Sequence, residues 1–277
     1  MTNSRRLLIG LLFLQLLSSG RMMAQGNLML LPRRVIFDGA KRYEELNLAN
    51  NGKDTARYVI SLMHVRMKED GGFEEISQPD SGENFADRFI RFFPHSVTLG
   101  PDESQVIKIQ LTKINELAPG EYRSHLYFRA IPDKAPLGEE APTSDSGISI
   151  RLIPIFGISI PVIIRVGTSN TQVRLSDLSL QMSEDTIPIL NMTFNRAGNM
   201  SVYGDIMVYH TSAAGKTTLA GTAKGIAVYT PNTARRFRLA LDKKTGIDYH
   251  SGRLSVEYST ADDSHPVRMA GADLQIR

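Results

Sequence analysis

The chain has 277 residues, no cysteine and no tryptophan, and 32 basic against 29 acidic side chains give it a formal net charge of +3. Residues 1–24 hold Arg5, Arg6 and Arg21 and no acid, so the remainder is close to neutral; the basic balance does not mark a nucleic-acid binder, which needs a basic stripe with interleaved aromatics. Without cysteine there is no disulfide framework, thiol nucleophile or cysteine-ligated metal, and the core must come from packing, for which roughly 250 residues in two domains are ample.

The first element is not part of the fold. Arg5 and Arg6 precede an apolar run from Leu7 to Leu17, and small residues lead to Met22, Met23 and Ala24. That order is a secretory signal peptide, with cleavage expected after Ala24. The run is shorter than the approximately 20 residues a bilayer span needs. The absence of a cysteine near the cleavage point argues against a lipid anchor.

From Leu28 onward the chain reads as strands. Val35 to Phe37 ends in the Asp38–Gly39 turn, and Tyr43 to Leu48 closes in Asn50, Asn51 and Gly52. Arg57 to Met67 alternates, with Tyr58, Ile60 and Leu62 on one face, until Gly71–Gly72. Phe89 to Phe93, Val97 to Leu99, Val106 to Leu111 and Tyr122 to Ile131 follow, set off by Pro94, Gly100–Pro101 and Pro119–Gly120. Short strands at regular spacing between Gly, Pro and Asn turns indicate a sandwich or barrel.

Asp133 to Gly147 is rich in Pro, Glu, Ser, Asp and Gly and reads as a long surface loop. The segment Ile148 to Ile164 behind it is long, β-branched and interrupted by Pro154 and Pro161. A central strand does not tolerate internal proline, because each removes a ladder donor. This is therefore a long edge strand, or one that changes partners partway. Such an edge templates pairing with another chain, so either a domain or second copy covers it, or it is a working surface for strand addition.

Gly167 to Asn170 is a natural boundary. Strands are expected after it at Val173 to Leu180, Ile187 to Phe194, Val202 to His210, Thr217 to Val228, Arg235 to Leu241 and Gly252 to Tyr258. The predicted organisation is a signal peptide over 1–24, a first sandwich over 25–166 and a second over 167–277, an all-β protein of two immunoglobulin-like domains.

Enzyme chemistry is not visible. The six histidines are not at metal-ligand spacing and are expected to be surface or half-buried strand residues. There is no phosphate-binding glycine loop and no G-x-S-x-G elbow. Glu74–Glu75 and Glu139–Glu140 sit in polar stretches as solvated charge. No catalytic residue, metal, cofactor, nucleic acid or small-molecule substrate is expected.

Several segments together resemble periplasmic pilus chaperones of the chaperone–usher type. Pro32 to Gly39 resembles their first strand, in which an arginine precedes an apolar trio and a turn, and Leu46 to Asn51 their second. Val97 to Leu111 matches the turn before their central strand. Gly120 to Pro132, with Glu121, Tyr122, Arg123, Ser124 and His125, is similar to the sixth strand of the non-classical, archaic branch, and Gly157 to Arg165 to its seventh. Gly198 to Gly204 is similar to a piece of the second domain.

The resemblance implies two sandwiches in an L-shaped or boomerang arrangement. It also implies a soluble periplasmic protein whose partners are pilin subunits and an outer-membrane usher. Its seventh strand fills the gap of an incomplete pilin, in donor-strand complementation. Here Ile148, Ile150, Leu152, Pro154 and Phe156 share one face of that strand by the period of two, whereas a one-residue slip would present Ile153, Ile155 and Ile158. In the family's best-known branch two basic residues in the interdomain cleft hold the pilin's C-terminal carboxylate. Arg34 occupies the place of the first, but Pro161 stands where the second, a lysine, is expected, so Arg123, His125 and Arg165 are candidates for its replacement. The alternative is an exported structural or adhesive protein that self-assembles through the same edge, which is also open to self-association in a free chaperone.

Overall fold

The computed structural model describes residues 27–132, 155–183, 187–243 and 246–276. The segment expected to be a signal peptide, the stretch Asp133 to Gly147 expected to be a surface loop, and the expected donor-strand positions Ile148, Ile150, Leu152 and Pro154 lie outside them.

The described residues form an all-β protein of two sandwiches. Eleven strands belong to the first half: β1 (Leu28–Leu31), β2 (Val35–Phe37), β3 (Tyr43–Asn50), β4 (Ala56–Met63), β5 (Val65–Met67), β6 (Phe73–Glu75), β7 (Ile90–Phe93), β8 (Ser96–Leu99), β9 (Ser104–Leu111), β10 (Gly120–Ile131) and β11 (Gly157–Val166). One sheet runs β1-β3-β9-β7 and the facing one β2-β11-β10-β4-β8, while β5 and β6 make a separate hairpin. The second half holds β12 (Gln172–Ser183), β13 (Ile187–Ala197), β14 (Val202–Thr211), β15 (Thr217–Val228), β16 (Ala234–Ala240), β17 (Gly252–Thr260) and β18 (Arg268–Ile276). Its sheets run β12-β13-β16 and β15-β14-β17-β18. No helix among the described residues is long and apolar enough to cross a membrane.

Alternation explains the strands. In β9, Ile107, Ile109 and Leu111 are buried while Lys108 and Gln110 face water, and in β3 Leu46 and Leu48 are buried between exposed Glu45 and Asn47. These side chains meet Phe37, Tyr58, Ile60, Leu126 and Phe128 in the first core. Each buried large apolar side chain contributes about 2 kcal/mol. A second core gathers Leu190, Phe194, Ile206, Val208, Leu254, Val256 and Tyr258. The Tyr258 hydroxyl is not wasted there: it donates to the Ile226 carbonyl at 2.7 Å.

Three expectations change. Arg57 to Met67 is not one strand: β4 ends at Met63, and Val65 to Met67 turns away to form the hairpin with Phe73–Glu75. The C-terminal strand β18 was not anticipated; its Met, Ala and Gly carry little strand propensity, and it is formed by pairing with β17 from Gly252 to Ser259. His125 and His210 are buried rather than surface or half-buried. His210 is accommodated by a 2.9 Å hydrogen bond between its Nε2 and the Ser251 carbonyl.

The sandwiches touch through a third apolar cluster. Met67 and Ile163 of the first half pack with Ala227 and Tyr229 of the second, beside Tyr203. β11 thus has two jobs. Ile160, Val162 and Ile164 enter the first core, and the intervening Ile163 enters the joint.

Candidate functional site

β11 is the strand on which the site is built. It pairs antiparallel with β10 from Gly157↔Arg129 to Val166↔Gly120 without a register shift. On its other side β2 pairs in parallel only with Val162, Ile163 and Ile164. Among the described residues, Gly157 to Pro161 therefore have one strand neighbour, and the strand gains a second only past Pro161. This is the partner change that the two prolines suggested.

The ladder also assigns the main-chain groups. Ala130 N donates to Phe156 O at 3.0 Å, so the even-numbered residues of β11 point their amides at β10 and the odd-numbered ones point away, by antiparallel alternation. Gly157, Ser159 and Pro161 hence direct their polar groups to the open side. Pro161 costs no ladder bond because its missing N–H falls on that side.

The apolar side chains at the start of this edge are uncovered. Phe156 is 63% exposed, Ile155 44% and Ile158 40%. Phe156, Gly157 and Ile158 line a cavity of ≈ 390 Å³ with Leu28, Tyr58, Phe128 and Ala130, at the open rim of the first core. Gly157 is needed for close approach, since a Cβ there would run into the Tyr127 ring. Of the residues expected on the donor face, only Phe156 lies within the described residues.

Arg34 stands at the far end of the open edge, immediately before the Val35↔Val162 pair. Its guanidinium carbon is 3.9 Å from the centroid of the Tyr203 ring. Its buried Nε has no hydrogen-bond partner, and no ion pair among the described residues includes it. Burial lowers its pKa, and the neighbouring Arg165 charge pushes the same way while Tyr229, Tyr203 and Glu121 oppose. Arg34 is a partly desolvated cation with no ion-pair partner within reach among the described residues.

The other three candidate bases are already engaged or neutral. Arg123 is 3% exposed and donates to Glu83 Oε1 at 2.6 Å and to the Val65 carbonyl at 3.0 Å. It also reaches the Thr230 carbonyl at 3.4 Å and lies 4.7 Å over the Tyr229 ring. Burial drives its pKa down and that of Glu83 up, and each charge opposes the other's shift; guanidinium stays ionised and Glu83 is its counter-ion. Arg165 donates to Glu121 Oε2 at 3.1 Å and to the Ser201 carbonyl at 2.8 Å. His125, beside the Phe73 and Tyr229 rings, has a pKa lowered to about 3 by burial, then by the Arg123 and His64 charges. It is neutral at neutral pH and offers no charge to an anion. The structure thus brings Arg123, His125 and Arg165 together at the joint between the sandwiches, with Arg34 at its open edge.

Sequence reading missed the groups that build this joint. Glu121 is buried and takes hydrogen bonds from Arg165, from Ser201 N and Oγ, and from Thr230 Oγ1. Tyr203 and Tyr229 face the arginines from the second half. Glu121 was visible as a single acid beside Tyr122 and Arg123 at a strand start, but nothing in the sequence tells which distant bases it meets. No group of three or more metal-ligating side chains occurs among the described residues.

No protein-family model and no curated protein sequence matches the chain. Solved structures similar to it include the Escherichia coli chaperone DraB, at 12% identity and a TM-score of 0.45, with 92% of this chain and 98% of that one covered. The class 5 fimbriae chaperone CfaA is similar at 14% identity and a TM-score of 0.43, covering 91% and 99%. The CupB2 chaperone of Pseudomonas aeruginosa is similar at 13% identity and a TM-score of 0.42, covering 90% and 100%.

Proposed function

We propose that this chain is an exported periplasmic chaperone that binds incomplete pilin subunits by donor-strand complementation and passes them to an outer-membrane usher. The observation that carries this reading is the open side of β11 from Gly157 to Pro161, with Phe156 and Ile158 uncovered at one end and, at the other, Arg34 with no ion-pair partner among the described residues.

Each part of the edge has a task. The outward main-chain groups of Gly157 and Ser159 pair with a subunit strand without reading its sequence. Phe156, and ahead of it Pro154, Leu152, Ile150 and Ile148, fill the groove left by the subunit's missing strand, each contributing about 2 kcal/mol before ordering costs. Arg34 receives the subunit's terminal carboxylate through charge-assisted hydrogen bonds. Arg123, His125 and Arg165 support that cleft from behind by fixing the two sandwiches. Residues 1–24 are the export signal, 25–166 the strand-lending domain and 167–277 the second domain. The chain works by binding, not by catalysis.

The test is co-expression in the periplasm with a pilin subunit. The chain should raise the yield of soluble subunit and co-purify with it, and Phe156→Asp should abolish both while circular dichroism stays that of the wild type. Equal subunit yield with Phe156→Asp would overturn the reading.

A further inference from the structure

Arg34 and Tyr203 belong to different sandwiches. Arg34 precedes β2 in the first, and Tyr203 is the second residue of β14 in the second. A guanidinium stacked on an aromatic face is held by the ring quadrupole yet keeps its N–H edges free for another partner.

The seat for that ring is itself built. Gly225 has φ +73°, a backbone conformation that favours glycine, and a Cβ there would stand 2.9 Å from the Tyr203 hydroxyl, so the tip of the tyrosine side chain lies against the bare glycine. Gly225 N is tied to Asp205 Oδ1 at 2.8 Å, which holds β15 in this bulged path beside β14. Two residues before Tyr203, Ser201 gives both its N–H and its hydroxyl to Glu121 of β10, at 3.0 and 2.7 Å. The place where β14 begins, and so the place of the ring, is set from the first sandwich.

We infer that Tyr203 is the positioning residue of the Arg34 site: its ring, presented by the second sandwich, holds the guanidinium of the first in the orientation that receives the client's terminal carboxylate. The strand position expected to bear a second base is Pro161, and an aromatic seat does by orientation what a second charge would do by attraction. The anchor is complete only when the two sandwiches are docked. This inference rests on the carboxylate role of Arg34 proposed above.

The experiment uses a fluorescent extended peptide of alternating valine and threonine, prepared as the free acid and as the C-terminal amide, and reads fluorescence anisotropy with the purified chain. Wild type should prefer the acid roughly tenfold, the worth of one charge-assisted hydrogen bond. Tyr203→Leu should bring that preference toward one, Tyr203→Phe should restore it, and Tyr203→Leu should change nothing further in an Arg34→Ala background. The Arg34 Nε proton should show an upfield ring-current shift in the NMR spectrum of the wild type. If Tyr203→Leu keeps the full acid preference while Arg34→Ala loses it, the positioning role is overturned and the Arg34 role stands. If the wild type shows no acid preference, the Arg34 role falls and this inference with it. An unshifted Arg34 proton in the wild type overturns the positioning role whatever the variants' stability.

Discussion

Glu121 and Ser201, eighty residues apart, are joined by two hydrogen bonds: Glu121 Oε2 accepts from Ser201 N at 3.0 Å and from Ser201 Oγ at 2.7 Å. The same oxygen accepts from Arg165 Nε at 3.1 Å, and Oε1 accepts from Thr230 Oγ1 at 3.3 Å. One carboxylate of the first sandwich thus satisfies an arginine of its own half and three donors of the other. Glu121→Ala would strand a buried main-chain N–H and part of a guanidinium. We expect a loss of about 3 kcal/mol and, in urea, unfolding of the two sandwiches in separate transitions as they uncouple. One coincident transition at wild-type midpoint would show that Glu121 does not couple them.

Arg123 and Glu83 form a pair in which both side chains are almost wholly buried. Removing only one partner leaves a desolvated charge, so Arg123→Met should cost about 3–5 kcal/mol. Adding Glu83→Leu should recover most of that loss, because the penalty comes from the unpaired charge rather than from the absent contact. Chemical denaturation of the two single variants and the double variant gives the coupling directly.

His125 makes stability depend on pH. Its folded pKa is lowered to about 3, chiefly by burial, against about 6.5 when unfolded. Between those values the unfolded chain binds the extra proton, so the neutral buried imidazole favours folding fully above pH 6.5 and progressively less as pH falls toward 3. From pH 7 to pH 5 the contribution lost is about 2 kcal/mol. His125→Phe, which keeps a ring beside Phe73 and Tyr229, should remove that part of the acid sensitivity. Urea midpoints of the two proteins at both pH values check it.

Much of the strand framework could be read from the chain because alternation and turn chemistry are local. Leu46–Leu48, Ile107–Ile109 and Tyr58–Ile60 announce their inward faces, and Asn50–Gly52 and Gly100–Asp102 their turns. The hairpin from Val65 to Glu75 was not legible: His64 breaks the register and the piece after it serves the joint, with Asn232 Nδ2 donating to the Met67 carbonyl at 2.7 Å. The site was half legible. Arg34, Arg123, His125 and Arg165 are named as candidates through the family resemblance, but which of them keeps a free charge depends on Glu83 and Glu121. Those contacts span 40 to 44 residues of chain. Tyr203 reaches Arg34 from another domain, and no local pattern encodes such a meeting.

Hydrogen exchange at two amides tests the strand-lending account most directly. Gly157 and Ser159 point their N–H groups to the open side of β11, away from β10. In the free chain these amides should exchange rapidly, while the even-numbered amides of Ile158 and Ile160 are protected by the β10 ladder. On binding a pilin subunit, Gly157 and Ser159 should become protected to the level of their neighbours. A complex in which both still exchange as fast as in the free chain would contradict the account, because no strand would then have been added to that edge.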